Sequence, residues 1–158
     1  MRIDFYPATS SDAEYLLRLE ETCMRSYAEA LWGCWKPSAT VETFHAANHY
    51  LIQRDGIPVG CIAEMWHADH LFIGKLYIDA PFQRQGIGAV VLRMKSHEAA
   101  VWGLPIKLSV LTTNPAYAFY RREGFEVESE TAERRRMTKP ASVTGTAACL
   151  IPHRKSDK

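Results

Sequence analysis

Six residues, Gln83-Arg84-Gln85-Gly86-Ile87-Gly88, put two glycines, a cation and two amides into one short run. Placed between a strand and a helix, such a run gathers unpaired backbone N–H groups and the positive end of the helix dipole at one point, which is a binding site for phosphate. It is not a Walker loop, because no Gly-Lys-Ser/Thr follows. Nor is it the dinucleotide fingerprint, because Val91 stands where the third glycine of G-x-G-x-x-G would be. Glycines let a backbone approach a ligand without a Cβ in the way, although a plain strand-to-helix connection tolerates them equally.

The neighbouring segments supply the elements this loop needs. Residues 71–78 are apolar enough for a central strand ended by Pro81, and Val90, Val91, Met94, Ala99 and Val101 support a helix closing near Trp102-Gly103. Upstream, Ile3 and Phe5 alternate with polar residues as in an opening strand. Ser11-Asp12-Ala13-Glu14 then reads as a capping box for a helix running to about Leu31 and ended by Gly33 and Pro37. Ser38 as cap, with Val41, Phe44 and Ala47 on one face, predicts a further helix over residues 38–48. Residues 49–54 and 57–67 flank Asp55-Gly56 as two strands of a hairpin. Downstream, residues 106–111 read as a strand, Asn114-Pro115 opens a short helix to about Arg122, and strands follow over 126–129 and 134–139. Residues 140–158 read as a tail that buries little, leaving one domain over 1–139.

Composition limits the possible functions. The 158 residues suit one domain, and 47% hydrophobic with 23% charged residues is an ordinary globular composition. Nineteen Lys and Arg against eighteen Asp and Glu leave a net charge of +1, which gives no electrostatic drive toward nucleic acid. No segment approaches the ~18 consecutive apolar residues of a membrane span. Arg2, Asp4 and Asp12 interrupt the start where a signal peptide would lie, so a cytoplasmic location is expected. Cys23, Cys34, Cys61 and Cys149 form no Cys-x-x-Cys pair and have no His at finger spacing, so no metal site is expected and buried free thiols are the simpler reading.

The glycine loop, the strand before it, Asn114-Pro115-Ala116 through Phe119-Tyr120, and Glu123-Gly124-Phe125 together resemble the acetyl-CoA-binding core of the GCN5-related N-acetyltransferase (GNAT) superfamily. The likeness is close over residues 71–125, and the order of elements extends it over residues 2–139. It implies an α/β fold of the α+β kind. A mixed, mostly antiparallel sheet of about six or seven strands is flanked by about four helices and splayed between its fourth and fifth strands. It implies acetyl-CoA as cosubstrate and transfer of its acetyl group to a primary amine by direct attack. The acceptor is a small molecule or a peptide, and a homodimer is left open. A noncatalytic acyl-CoA-binding sensor or scaffold is the alternative, and a nucleotide-phosphate binder a third.

By the same resemblance, backbone N–H groups of Gln85, Gly86, Ile87, Gly88 and Ala89, next to Gln83, would hold the pyrophosphate. Arg84 and Arg121 would add charge there, and Asn114 belongs to the same cofactor set, although a helix cap explains it too. Leu76, Tyr77 and Ile78 would pair with the pantetheine, a backbone N–H near Leu76 polarising the thioester carbonyl. Tyr120 would protonate the departing thiolate, since a phenol of pKa about 10 can donate to a thiolate whose acid titrates near 8.5; a packed aromatic is the alternative. Glu64, with His67 and His70 nearby, is the candidate base, against an outward-facing strand carboxylate. Glu29 would meet an ammonium between Tyr27, Trp32 and Trp35, although aromatics at helical spacing also build cores. The run Arg134-Arg135-Arg136 reads as a solvated strand end.

Overall fold

The first long helix begins where Asp12 turns its carboxylate back to accept the Thr9 N–H at 2.8 Å, a capping box two residues earlier than the one expected from Ser11. In the computed structural model, which describes residues 1–141, this helix is α1 (Ala13–Trp32). It stops at Gly33, whose φ of 75° is left-handed and whose N–H reaches the Glu29 carbonyl at 2.8 Å. Around it the chain lays down β1 (Ile3–Pro7), β2 (His49–Arg54), β3 (Ile57–Trp66), β4 (Leu71–Ile78), α2 (Ile87–Val101), β5 (Ile106–Leu111), α3 (Ala116–Arg122), β6 (Glu126–Glu130) and β7 (Arg134–Lys139). The strands form one sheet in the order β1-β2-β3-β4-β5-β7-β6. Every neighbouring pair is antiparallel except β4 and β5.

The two faces of the sheet carry different covers. Ile52, Ile62, Leu71, Ile73, Leu108 and Met137 pack with Ile87, Val91 and Leu92 of α2 and with Phe119 and Tyr120 of α3. On the opposite face Leu16 and Leu19 of α1 close over Leu51, Cys61 and Tyr77. The β2–β3 hairpin turns at Asp55 (φ 51°) and Gly56 (φ 81°), the paired left-handed residues of a tight two-residue loop.

No helix forms over residues 38–48. Ser38 spends its hydroxyl on the Glu20 carboxylate at 2.8 Å instead of capping a helix. The Thr40 N–H bonds to Thr43 Oγ1 at 2.9 Å, closing a turn in its place. Hydroxyl side chains that bond locally offer the backbone an alternative to a helix, and here that alternative wins.

The feature that positions the site is a fork in the sheet. β4 and β5 are bonded in parallel only at Leu71↔Ile106, Phe72↔Lys107 and Ile73↔Leu108, and from Gly74 onward they part. Gly74 is also the extra residue of a bulge: Ala63 pairs with Lys75 while Glu64 pairs with Ile73. The backbone edge of β4 beyond the bulge therefore faces an open wedge.

Candidate active site

At the mouth of the fork the chain runs from β4 through a single 3-10 turn, Ala80–Phe82, into the loop ahead of α2. Gln83 Nε2 donates to the Ile78 carbonyl at 2.8 Å and ties the loop to the end of β4. Gln85 is held on both sides: its Oε1 accepts from Arg54 Nη1 at 2.5 Å and its Nε2 donates to the Pro81 carbonyl at 3.1 Å. Arg84 (φ 59°) and Gly86 (φ 82°) bend the backbone left-handed. Among the described residues, the N–H groups from Arg84 to Ala89 find no protein acceptor, and the helix ladder begins with Val90 bonding to the Gly86 carbonyl at 3.1 Å. Arg84 and Arg121 are exposed and enter no ion pair there. This run of free donors at a helix N-terminus, with the exposed Arg84 in the loop itself, fits a pyrophosphate.

Leu76, Tyr77 and Ile78 lie on the parted stretch of β4, half-buried. On its other side this stretch presses close on β3, where a Cβ at Gly60 would stand 2.1 Å from the Tyr77 carbonyl oxygen, so only glycine fits. The Leu76 and Ile78 side chains pack with the α2 core, whereas Tyr77 turns to the α1 face. Burial first, and the Glu20 carboxylate second, hold the Tyr77 phenol well above its ordinary value.

Tyr120 stands on α3 with its ring 5.3 Å from Phe119 and 5.7 Å, edge-on, from Phe125. Desolvation pushes its phenol up to about 12. Asn114 Oδ1 accepts the Ala116 N–H at 2.9 Å, so its oxygen works as a cap for α3.

Glu64 corrects both readings made from sequence. It does not face outward, because only 7% of its side chain is exposed; its carboxylate sits 3.0 Å from Lys95 Nζ under α2. Its row pairs with Ile73, where β4 and β5 are still bonded, so it lies at the closed end of the fork. His67 and His70 stack at 4.5 Å in the β3–β4 turn, ahead of Leu71 and so also away from the open end.

α1 separates its two candidate acids by half a turn of helix face. Glu29 is exposed and pairs with Arg25 at 2.6 Å on the outer side, so it does not reach the fork. Glu20, nine residues earlier, is 8% exposed on the inner side. It went unremarked in the sequence, although Leu16, Glu20, Cys23 and Tyr27 at spacings of four, three and four mark one stripe. The Tyr27 carbonyl accepts from Thr113 Oγ1 at 2.7 Å at the end of β5. Trp32 is exposed with the Arg134 guanidinium 5.8 Å from its ring, and Trp35 is half-buried.

The cysteines differ from the buried set expected. Cys61 is buried and Cys23 partly so, with burial pushing their thiols up to about 12 and about 11, so neither presents a thiolate. Cys34 is exposed at the end of α1, and Cys149 and the tail beyond residue 141 lie outside the described residues. Among the described residues no helix is long and apolar enough to cross a membrane.

Residues 45–127 match a family model described as an acetyltransferase (GNAT) domain. No curated protein matches the sequence. Among solved structures, the chain is similar to the PaiA N-acetyltransferase of Thermoplasma acidophilum in complex with coenzyme A. The TM-score is 0.67 and identity 17%, over 89% of this chain and 99% of that one. It is similar to the ribosomal-protein-S18-alanine N-acetyltransferase of Escherichia coli at TM-score 0.67 and 18% identity, over 92% and 97% of the two chains. It is also similar to Naa50 of Arabidopsis thaliana, in complex with the bisubstrate analogue CoA-Ac-MVNAL. There the TM-score is 0.62 and identity 20%, over 88% of this chain and 99% of that one. At these identities the likeness is one of fold.

Proposed function

The chain belongs to the acetyltransferase (GNAT) domain family, and we propose that it moves the acetyl group of acetyl-CoA onto a primary amine by direct attack in a ternary complex. One observation carries this reading: β4 and β5 part beyond Ile73 beside a loop whose N–H groups from Arg84 to Ala89 have no acceptor among the described residues. The coenzyme A and bisubstrate complexes of PaiA and Naa50, proteins of the same fold, support it.

The residues divide the work as follows. The free N–H groups at the start of α2, with Arg84 and Arg121, neutralise the pyrophosphate. The unpaired edge of β4 from Leu76 to Ile78 takes the pantetheine as a strand would. A backbone N–H beside the Gly74 bulge donates to the thioester carbonyl oxygen, where negative charge grows as the amine nitrogen attacks the carbon. Tyr120 gives its proton to the sulfur as the C–S bond breaks, the attacking nitrogen loses its surplus proton to solvent, and the Tyr120 phenolate takes one back from solvent as CoA leaves. The Glu64 carboxylate is taken up by Lys95 and that of Glu29 by Arg25, so neither is given a part in it.

Thiol release from acetyl-CoA, followed across a panel of small primary amines and peptide amino termini, tests the proposal. Amine-dependent release of CoA is expected. Binding of acetyl-CoA without release for every amine would leave an acyl-CoA-binding module instead.

A further inference from the structure

α1 carries one carboxylate that the fold buries almost completely without an ion pair among the described residues. Glu20 is 8% exposed, and among the described residues its carboxylate accepts a single hydrogen bond, from Ser38 Oγ at 2.8 Å. No ion pair is made to it there. Lys75, on the stretch of β4 whose Tyr77 turns to α1, sets its ammonium over the Phe44 ring, 5.6 Å from the centroid. Buried carboxylates are costly unless a cation or a full set of donors meets them, and this one has half of what it needs.

Its place in the fold says what could complete it. Along the same stripe of α1, Cys23 Sγ lies 3.5 Å from the Ile78 carbonyl at the end of β4, and the Tyr27 carbonyl takes the Thr113 hydroxyl just past β5. The helix therefore bridges the open end of the fork, and Glu20, on the same stripe one turn before Cys23, is buried toward the sheet beside Leu16 and Leu19, which close over Tyr77. An amine approaching the thioester from the face opposite α2 comes in under this helix.

We propose that Glu20 is the acceptor-binding residue, its carboxylate, oriented by Ser38, holding the ammonium of an aliphatic primary amine at the open end of the fork. The proposal rests on the transferase reading for what happens next, but the binding site stands on its own. A carboxylate with room for one more strong donor selects acceptors that are cationic at neutral pH over uncharged ones of the same shape.

Benzylamine and benzyl alcohol, matched in shape and differing in charge, are the probes, titrated by ligand-observed NMR into the protein saturated with CoA. Benzylamine should bind more tightly than benzyl alcohol. Glu20→Gln, which keeps the volume and the bond to Ser38, should weaken benzylamine ~10-fold or more and leave benzyl alcohol unmoved. Ser38→Ala, a change at an exposed position that spares the charge, should weaken benzylamine by a smaller factor. Equal affinities of parent and both variants, equal losses for the two probes, or no benzylamine binding by the parent would each overturn the site. Thiol release is read separately: Glu20-dependent binding without release sinks the transferase reading and keeps the site, whereas release indifferent to Glu20→Gln does the reverse.

Discussion

The Glu64 carboxylate and the Lys95 ammonium lie 3.0 Å apart with side chains 7% and 5% exposed, a closed ion pair between β3 and α2. Lys95 also reaches Glu98 at 3.3 Å and sits 4.2 Å above the centre of the Phe5 ring, so three elements meet at one ammonium. Because α2 presents the phosphate loop at its other end, this pair belongs to the framework that aims the loop. A buried pair gives little net stability over an apolar pair of the same volume, but stranding one of its charges is costly.

Lys95→Met should therefore lower the unfolding free energy by about 3–5 kcal/mol, while adding Glu64→Leu to the same chain should recover most of the loss. Urea denaturation of the two variants against the parent checks this. Single and double variants of equal stability would mean that the pair is not coupled.

The fold was legible where local chemistry is decisive, as in the Asp55-Gly56 hairpin, whose two residues both take positive φ. The facing of Glu64 on β3 was not, because two bulges around that strand shift the alternation. Val59 is extra against β2, where Ile52 pairs with Gly60 and Gln53 with Pro58, and Gly74 is extra against β3. Counting by twos from a strand end therefore loses its phase before reaching Glu64. Residues 38–48 had the pattern of a helix, yet Ser38 answers to Glu20, eighteen residues away, which no local reading includes. Glu29 stood out in the sequence because aromatics surround it, and only the helix geometry separates it from Glu20.

The loop offers a second test, in which strain must be separated from charge. Gly86 has φ 82° with nothing within 4 Å of a Cβ built there, so a side chain has space but most residues would be strained by ~1–2 kcal/mol. Asn tolerates that conformation and is neutral. Calorimetric titration with CoA should show Gly86→Asn close to the parent and Gly86→Glu weakened ~10-fold or more by a negative charge beside the phosphates. Equal affinities for the two variants would remove the phosphate role from this loop.

His49 gives a pH signature. Its Nδ1 lies 2.9 Å from the Ala47 carbonyl and its Nε2 is buried without a partner among the described residues, while burial, then the Lys75 charge, hold its pKa below the ordinary 6.5. The unfolded chain thus takes up a proton at a pH where the folded chain does not. The stabilising contribution is complete above pH ~6.5 and is lost as the pH falls toward the folded value. His49→Gln should flatten that part of the stability curve, measured as the parent-minus-variant difference in urea midpoint between about pH 5 and 7. A difference that does not change with pH would contradict the assignment.

Tyr120 tests the chemistry itself. With its phenol pushed up to about 12 by burial, it keeps its proton throughout the range in which a free tyrosine would begin to lose it near pH 10. It therefore stays protonated under alkaline conditions, as a weaker acid than a free phenol, and it contributes no falling limb to kcat below about pH 11. Tyr120→Phe keeps the edge-on packing against Phe125, 5.7 Å between ring centres, so the fold and acetyl-CoA binding should survive. What disappears is the proton for sulfur, and kcat should fall ~10²-fold with the KM for acetyl-CoA nearly unchanged. An acyl donor whose thiol is more acidic than that of CoA needs less protonation, so the loss with that donor should be smaller. Turnover of Tyr120→Phe equal to the parent with both donors would leave the ring as packing alone and pass the proton to water.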